Sequence, residues 1–341
     1  MKNVLIEKWN RIKRENPQIR IREAARQLDV SEAELVATGT GSGNTLLNND
    51  FKSLLKEVEK IGQVMALTRN DYCVHERKGV YNKVAFNGEV GLAVNPDIDL
   101  RLFMSNWKFG FAVNENGRLS FQFFDKSGEA VHKIYLTESS DKEVYEGLKE
   151  KYKAANQDLP VDVEAWDDRQ EEKQDSDIDS THFGEAWKAL QDTHHFHGML
   201  KSFGVSRLQA MRLAPAGFTE PLDTGILKRV LESVAAQDVE IMVFTGSRGC
   251  IQIHTGLVKN LVQTGPWFNV LDPQFNMHLR EDGIAAVWLV KKPTKDGIVT
   301  SIEIFDNDGG IIVQFFGKRK PGIPESEAWR SAINQNLAIP Q

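Results

Sequence analysis

Three of the chain's eight histidines lie within four residues, in the segment 193–200 (THHFHGML). On a helix, His194 and His197 share a face because they are three residues apart, whereas His195 points elsewhere. Neutral imidazole is the commonest metal ligand in proteins, so the segment is a candidate metal site. The alternative is that these histidines are core or surface residues without a ligand.

Two kinds of metal site are compatible with this segment. Zinc needs three or four converging ligands, and neither cysteine of the chain is near these histidines in sequence. A haem iron needs only one axial histidine, since the porphyrin supplies the in-plane nitrogens. The residues alone leave both possibilities open.

Arg101, in the segment 95–103 (NPDIDLRLF), is a second candidate. Arginine is always charged, so facing a sheet interior it needs an anionic partner or a polar ligand. The structural alternative is an internal ion pair with Asp97 or Asp99. Basic residues in the second half form a third group (Arg207, Lys292 and Arg319, with Gln314), although scattered Lys and Arg are usually solvated.

The elements that must position these residues occur twice. The segments 64–79 and 241–256 align without a gap, so that Cys73 matches Cys250. Three further blocks repeat in the same order: 95–103 with 272–280, 123–135 with 304–316, and 27–35 with 202–210. Four ordered blocks indicate two homologous halves. Features present in only one half, such as the histidines, are therefore candidates for function.

Each half begins with helical periodicity and continues with short alternating runs. Ser31 follows a break at Asp29-Val30 and is expected to cap a helix. The dipeptides at 87–88, 116–117, 127–128 and 309–310 are hairpin signals. We therefore predict an α+β fold built by tandem duplication, each half having N-terminal helices and a large antiparallel sheet.

An acidic run separates the halves. The segment 157–180 contains ten acidic residues and two basic ones, whereas the chain of 341 residues has a net charge of −6. The remainder is therefore slightly basic. We expect an N-terminal half at 1–155, a solvated acidic linker at 156–180 and a C-terminal half at 181–341.

Composition excludes several classes of protein. Hydrophobic residues make up 41% and charged residues 26%, which is typical of a folded globular chain. No apolar run approaches the ~18 residues of a membrane span. Two cysteines and a charged N-terminal segment without a secretory pattern predict a cytoplasmic protein without disulfides. Nothing in the charge distribution indicates nucleic-acid binding.

Taken together, these motifs resemble the bacterial haemin-utilisation proteins of the HemS, ChuS and HmuS type. The resemblance is carried by 95–107 (NPDIDLRLFMSNW), 193–207 (THHFHGMLKSFGVSR), 266–280 and 291–322. It covers nearly the full length, including the duplication. It implies a cytoplasmic protein that receives imported haem, binds one molecule between its halves and, in several members, opens the porphyrin to release iron.

The resemblance also implies roles for individual residues. His194 matches the proximal iron ligand and Arg101 the distal arginine, and both are expected to act in catalysis. The remaining expected haem contacts are Arg207, Lys292, Gln314 and Arg319 on the propionate side, Phe103 and Phe244 around the ring, and Phe316. Phe316 stands where the family often has Tyr, which removes a hydroxyl. His195 and His197 replace other residues and are rival ligands.

Three functions follow as hypotheses. The first is a haem-degrading enzyme that uses haem b as substrate and an external electron donor, with a haem importer or a reductase as partner. The second is a non-catalytic haem carrier or store that transfers haem to other proteins. The third is a zinc site built from His194 and His197.

Overall fold

The computed structural model describes residues 2–167, 172–320 and 322–338, apart from the side chains of residues 2 and 3. This described part contains ten α-helices and eighteen strands, and the strands form two nine-stranded sheets. Each half has five helices and nine strands in the same order. The α+β class and the tandem duplication are thus confirmed.

The helices and strands have the following bounds. The first half contains α1 (Lys2–Glu15), α2 (Ile21–Leu28), α3 (Glu32–Ala37), β1 (Thr45–Leu46), α4 (Phe51–Glu57), β2 (Gly62–Arg69), β3 (Cys73–Gly79), β4 (Ala85–Asn87), β5 (Val90–Val94), β6 (Asp99–Phe103), β7 (Phe109–Glu115), β8 (Arg118–Phe124), β9 (Ala130–Ser140) and α5 (Lys142–Lys151). The second contains α6 (Ser180–Lys188), α7 (His195–Phe203), α8 (Arg207–Leu213), β10 (Thr219–Leu222), α9 (Ile226–Ala236), β11 (Ile241–Gly246), β12 (Cys250–Gly256), β13 (Leu261–Thr264), β14 (Trp267–Leu271), β15 (Phe275–Arg280), β16 (Ala286–Thr294), β17 (Gly297–Phe305), β18 (Ile311–Gly317) and α10 (Glu327–Leu337). The prediction that helices precede the strands in each half was incomplete. Helices α4 and α9 follow a first short strand, and α5 and α10 end the two halves.

Local chemistry explains how the paired N-terminal helices begin and end. Asp29 ends α2 in the left-handed region at φ 54°, and Ser31 then caps α3. The Ser31 hydroxyl accepts from the Glu34 N–H at 3.2 Å, and the Glu34 carboxylate accepts from the Ser31 N–H at 2.9 Å. The second half repeats this arrangement, with Gly204 ending α7 at φ 63° and Ser206 capping α8. The predicted cap at Ser31 is confirmed.

The predicted hairpins also form. Asn116 and Gly117 both have positive φ, 55° and 90°, between β7 and β8, as a tight two-residue hairpin turn requires. Gly88, Gly128 and Gly309 have positive φ at the other three predicted turns. These turns fix the antiparallel register of the strands that carry the candidate site residues.

Contacts between residues divide the chain into two compact units. The first comprises Met1–Arg69, His75–Asp168 and Gly246–Gln252, and the second comprises Asn70–Val74, Arg169–Thr245 and Ile253–Gln341. The boundaries that we expect for the two halves and the linker, at 1–155, 156–180 and 181–341, remain predictions.

In the first unit the strands follow the orders β1-β7-β8-β9-β2 and β6-β5-β4. Helices α4 and α5 pack Phe51 and Tyr145 against strand residues such as Phe121 and Phe123. All four rings are at most 4% exposed. Burying each contributes roughly 1.5–3 kcal/mol, so this core holds the strands rigidly.

In the second unit the strands follow the orders β10-β16-β17-β18-β11 and β15-β14-β13. Alternate residues of β17 face opposite sides. Ile302 and Ile304 pack with α9 and α10, whereas Phe305 packs with α6, α7 and α8. Ser301 and Glu303 are four and two residues before Phe305, so their side chains lie on the same face of β17 as Phe305. They therefore face the helices that carry the histidines.

The acidic segment is partly bound to the units. In the first unit, Trp166 donates its indole N–H to Asp125 at 3.0 Å. Lys126 Nζ lies 4.6 Å from the centroid of the Trp166 ring, a cation–π contact. On the second unit, Asp175 pairs with Arg212 of α8 at 3.3 Å. The predicted linker residues 168–171 lie outside the described residues. Of the described helices, none combines the length and apolarity needed to cross a membrane.

Candidate functional site

His194 is held at the start of α7 by a neighbouring carboxylate. It is the N-cap residue of α7, the second helix of its half, not a residue of the first helix as expected from the sequence. Asp192 Oδ1 lies 2.6 Å from His194 Nδ1 and accepts from the His194 backbone N–H at 2.8 Å. The pKa of Asp192 is lowered mainly by the hydrogen bond from the His194 backbone N–H, and also by the contact with the His194 ring. A carboxylate at Nδ1 fixes the tautomer that leaves the Nε2 lone pair for a ligand.

The His194 ring is also accessible, since its side chain is 78% exposed. His195 and His197 are exposed too. Within the described residues, neither ring has a carboxylate partner of the kind that Asp192 provides for His194. Among the three histidines, the Asp192 contact at Nδ1 therefore favours His194 as a metal ligand.

A buried ionic cluster lies where α8 meets β16 and β17. The Glu303 carboxylate accepts from Arg207 Nε at 2.8 Å and Nη2 at 3.1 Å, and from Lys292 Nζ at 2.5 Å. Ser301 Oγ donates to the same carboxylate at 3.0 Å. We call these four residues the Glu303 cluster. Arg207 and Lys292, which the sequence analysis grouped, are thus brought together.

Burial and charge compete within this cluster. Burial would raise the pKa of Glu303, but the charges of Arg207 and Lys292 hold it well below its usual range. Burial lowers the pKa of Lys292 to about 8, although Glu303 opposes the shift. Two cations therefore surround one buried carboxylate, which leaves a local excess of positive charge.

Aromatic side chains connect the cluster with the histidine helix. Phe196 of α7 lies 5.3 Å from the Arg207 guanidinium and 4.6 Å from Lys292 Nζ. Lys292 also lies 5.9 Å from the Phe316 ring, which contacts Phe244 at 4.9 Å between centroids. Cation–π contacts of this kind contribute ~0.5–2 kcal/mol each. The His194 helix and the cationic cluster thus share one aromatic wall.

Gln314 and Arg319 extend the same region along β18. In the register of the sheet, Gln314 lies opposite Glu303 on β17 and opposite Phe244 on β11. Arg319 follows two residues after β18, and its Nη1 atom is buried without a hydrogen-bond partner in the described part of the chain. A buried guanidinium donor without a partner is costly, so this atom is suited to an anionic or polar group.

Arg101 and Phe103 are described within the first unit, on β6. Arg101 forms an ion pair with Asp99 and donates to the Leu100 carbonyl at 3.3 Å. Asp97 pairs instead with Arg77 at 2.8 Å. The internal pair weighed for Arg101 is therefore present, but 29% of the Arg101 side chain stays exposed. Among the described residues, Nη1 is the only Arg101 nitrogen with a hydrogen-bond partner.

Sequence reasoning missed the apolar stripe beside Arg101. On β5, Val90, Leu92 and Val94 are between 42% and 48% exposed and face the same side of the strand. The β5–β6 register places Val90 opposite Phe103 and Leu92 opposite Arg101. The alternation in VGLAV was the available signal, because a row of exposed apolar side chains on one strand face is typical of interaction sites.

The first unit has a counterpart of the Glu303 cluster with different charges. By the alignment of the halves, Glu32 takes the place of Arg207, Gln122 that of Glu303 and Lys133 that of Gln314. Lys133 pairs with Glu32 at 2.5 Å, both buried. A cavity of about 610 Å³ on this sheet is lined by Tyr135 and Arg118. None of the predicted site residues lines this cavity.

Two further residues escaped the sequence analysis. Asp192 stands two residues before His194, and Glu303 is the single charged residue of the apolar strand SIEIF. A lone buried charge requires a partner, which was the signal for Glu303. Among the described residues, no three His, Cys, Asp or Glu side chains are grouped closely enough to hold a metal ion. The donor set of a zinc site is therefore not assembled there.

Comparison with known proteins identifies the family. The chain belongs to the family described as the haemin-degrading HemS.ChuX domain, whose model matches residues 29–152 and 204–336, once in each half. It is 37% identical over 342 residues to the hemin transport protein HmuS of Yersinia pestis, covering 96% of both chains.

Two solved structures are similar over the whole chain. One is apo-PhuS, a heme-binding protein from Pseudomonas aeruginosa, with 47% identity and a TM-score of 0.96 over 98% of this chain and 99% of PhuS. The other is ChuS, described as an E. coli heme oxygenase, with 33% identity and a TM-score of 0.88 over 98% and 99%.

Proposed function

We propose that this protein binds haem and degrades it oxidatively to release iron, with His194 as the proximal ligand. The observation that carries the proposal is the environment of His194. Its Nδ1 contacts Asp192 at 2.6 Å, which leaves the exposed Nε2 atom for iron. Metal-binding histidines generally have a carboxylate or carbonyl partner of this kind.

The second unit also fits the anionic edge of a haem. The porphyrin carries two carboxylates, and the cations Arg207, Lys292 and Arg319 lie in the same unit as His194. The buried, unsatisfied Nη1 of Arg319 is the donor that a carboxylate would complete. Phe244 and Phe316, which are partly exposed, offer apolar surface for the macrocycle, and Gln314 offers a polar contact.

Arg101 is proposed to act on the distal side. It is a permanent donor with an apolar stripe and Phe103 beside it, a combination that suits a porphyrin face. The positive charge of Arg101 would stabilise negative charge that develops near the reacting centre. Bound haem would supply the oxidative chemistry, with oxygen or peroxide as oxidant and an external electron donor.

The setting of the reaction is part of the proposal. Cys73 and Cys250 are both buried free thiols, which is compatible with a reducing cytoplasm. A haem importer that delivers the substrate and a reductase that delivers electrons are the partners that this chemistry would need. ChuS, described as a heme oxygenase, supports degradation within the family.

Haemin titration followed by an electron donor tests the proposal. Haemin added to the protein should give a Soret band with one equivalent bound, and ascorbate in air should then destroy that band. The His194→Ala variant should show altered axial ligation. A wild-type protein that binds haemin but keeps the band under ascorbate would contradict degradation.

A haem carrier is the second candidate function. It is favoured by the 78% exposure of the His194 side chain, which leaves the axial position accessible for transfer to another protein. HmuS and HemS, two relatives, are named hemin transport proteins. A persistent Soret band together with haem transfer to an apo-acceptor would support this function over degradation.

A further inference from the structure

Glu303 is buried at the centre of the cationic residues without any part in the proposed haem contacts. Its side chain has no exposed surface. One carboxylate oxygen, Oε1, accepts hydrogen bonds from Arg207 Nη2, Lys292 Nζ and Ser301 Oγ. The other oxygen, Oε2, accepts one from Arg207 Nε. The bidentate contact fixes the plane of the Arg207 guanidinium, because its fork matches a carboxylate.

The cluster is specific to the second unit. In the first unit, Gln122 occupies the position of Glu303, and Lys133 pairs with Glu32 at 2.5 Å, with the charges of Arg69 and Arg22 also acting on Glu32. In the second unit, one carboxylate faces two cations. The alignment therefore shows that a buried carboxylate at this strand position, bound by both Arg207 and Lys292, occurs in the second half and is replaced by the amide of Gln122 in the first.

We propose that Glu303 is a positioning residue, which holds Arg207 and Lys292 as one rigid platform for ligand carboxylates. The inference rests on the proposed function, because it names what organises the propionate side of the same site. Glu303 acts through the two cations and does not itself touch the ligand.

Removing the Glu303 charge does not simply make the platform more positive. Lys292 is buried against Glu303 of β17, Arg207 of α8 and the rings of Phe196 and Phe316. Of these groups Glu303 is the only anion, and it favours the protonated form through both its charge and its hydrogen bond, whereas the two rings add only weaker cation–π contacts. Since burial already lowers the pKa of Lys292 to about 8, loss of the carboxylate would lower it further. Lys292 then loses its proton near neutral pH, and Arg207 loses its bidentate partner.

The Glu303→Gln variant tests the inference with two ligands. Haemin carries two carboxylates, and haemin dimethyl ester carries none. We expect Glu303→Gln to bind haemin about tenfold more weakly at pH 7.5, since charge-assisted contacts lose their geometry. Its affinity for the dimethyl ester should match that of the wild type. The pH above which haemin binding weakens should fall, and Glu303→Asp should recover part of the loss.

A ligand-free measurement separates this inference from the proposed function. In protein with ¹³C-labelled lysine, the NMR signal of Lys292 should titrate at lower pH in Glu303→Gln than in the wild type. Glu325→Gln is the matched control, because Glu325 is equally buried in the second unit but accepts from the Thr300 N–H at 2.7 Å and Arg330 at 3.1 Å. It should change neither ligand affinity nor the Lys292 titration.

The outcomes are distinct. An unchanged Lys292 titration, or equal losses for haemin and its dimethyl ester, would overturn the positioning role of Glu303. Tighter haemin binding by Glu303→Gln would overturn it as well. A wild-type protein that binds neither ligand would instead overturn the proposed function, while the lysine titration still decides the role of Glu303 in organising the cluster.

Discussion

Replacing Asp192 by alanine is expected to weaken haemin binding about tenfold, because His194 loses the partner that orients its ring. Asp192 Oδ1 makes two contacts with His194, at 2.6 Å to Nδ1 and 2.8 Å to the backbone N–H. The first fixes the tautomer with a free Nε2, and the second fixes the start of α7. Both are lost in Asp192→Ala.

The magnitude follows from the exposure of the pair. Loss of an outer partner of a metal-bound histidine generally costs 10- to 100-fold in metal affinity, about 1.4–2.8 kcal/mol. The side chains of His194 and Asp192 are 78% and 41% exposed, so solvent screens their interaction and the lower end applies. Asp192→Asn keeps an acceptor but loses the charge, and it should fall between wild type and Asp192→Ala.

The assay is haemin titration followed at the Soret band, with dissociation constants compared at one pH and salt concentration. Asp179→Ala is the matched control, because Asp179 makes the same type of contact with His182 at the start of α6. It should leave haemin affinity unchanged. Equal affinities for Asp192→Ala and the wild type would refute the assignment of His194 as the oriented ligand.

Three further predictions concern other residues. His194→Ala should change the haem absorption spectrum more than His197→Ala, and an unaltered spectrum would move the ligand role to another histidine. Arg101→Ala should still bind haemin but degrade it at least about tenfold more slowly, as expected for loss of a charge-stabilising donor, and unchanged turnover would leave Arg101 only its ion pair with Asp99. Burial lowers the pKa of His132 to about 3 from 6.5, so below pH 6.5 the unfolded chain takes up a proton that the folded ring does not. Stability should therefore fall as the pH drops from 6.5 towards 3, and ¹⁵N NMR should find His132 neutral at pH 5; a protonated ring there would contradict this.

Much of the fold could be predicted because the signals are local or repeated. The Ser31 cap and the turns at Gly88, Gly117 and Gly128 depend on a few adjacent residues, and the structure confirms them. The duplication was visible because two cysteine-bearing segments align. Helices α5 and α10 escaped prediction because each follows a long run of strands, although the Asp141 cap of α5 was an available local signal.

The site was less predictable, since its geometry depends on contacts between distant residues. Arg207 and Lys292 read as scattered surface cations, yet both converge on Glu303, 96 and 11 residues away. The sequence could not choose between an internal pair and a ligand for Arg101, and the contact with Asp99 shows only that the internal pair forms. The family resemblance indicated which residues contact haem, whereas the structure shows which residues those side chains contact within the chain.

Haemin titration of the purified protein, followed by ascorbate in air, tests the central claim most directly. The account predicts one bound equivalent with a Soret band that is altered in His194→Ala, and loss of that band in the wild type once the electron donor is added. A wild-type protein without a haemin-dependent Soret band, or with a band that survives the donor unchanged, would contradict it.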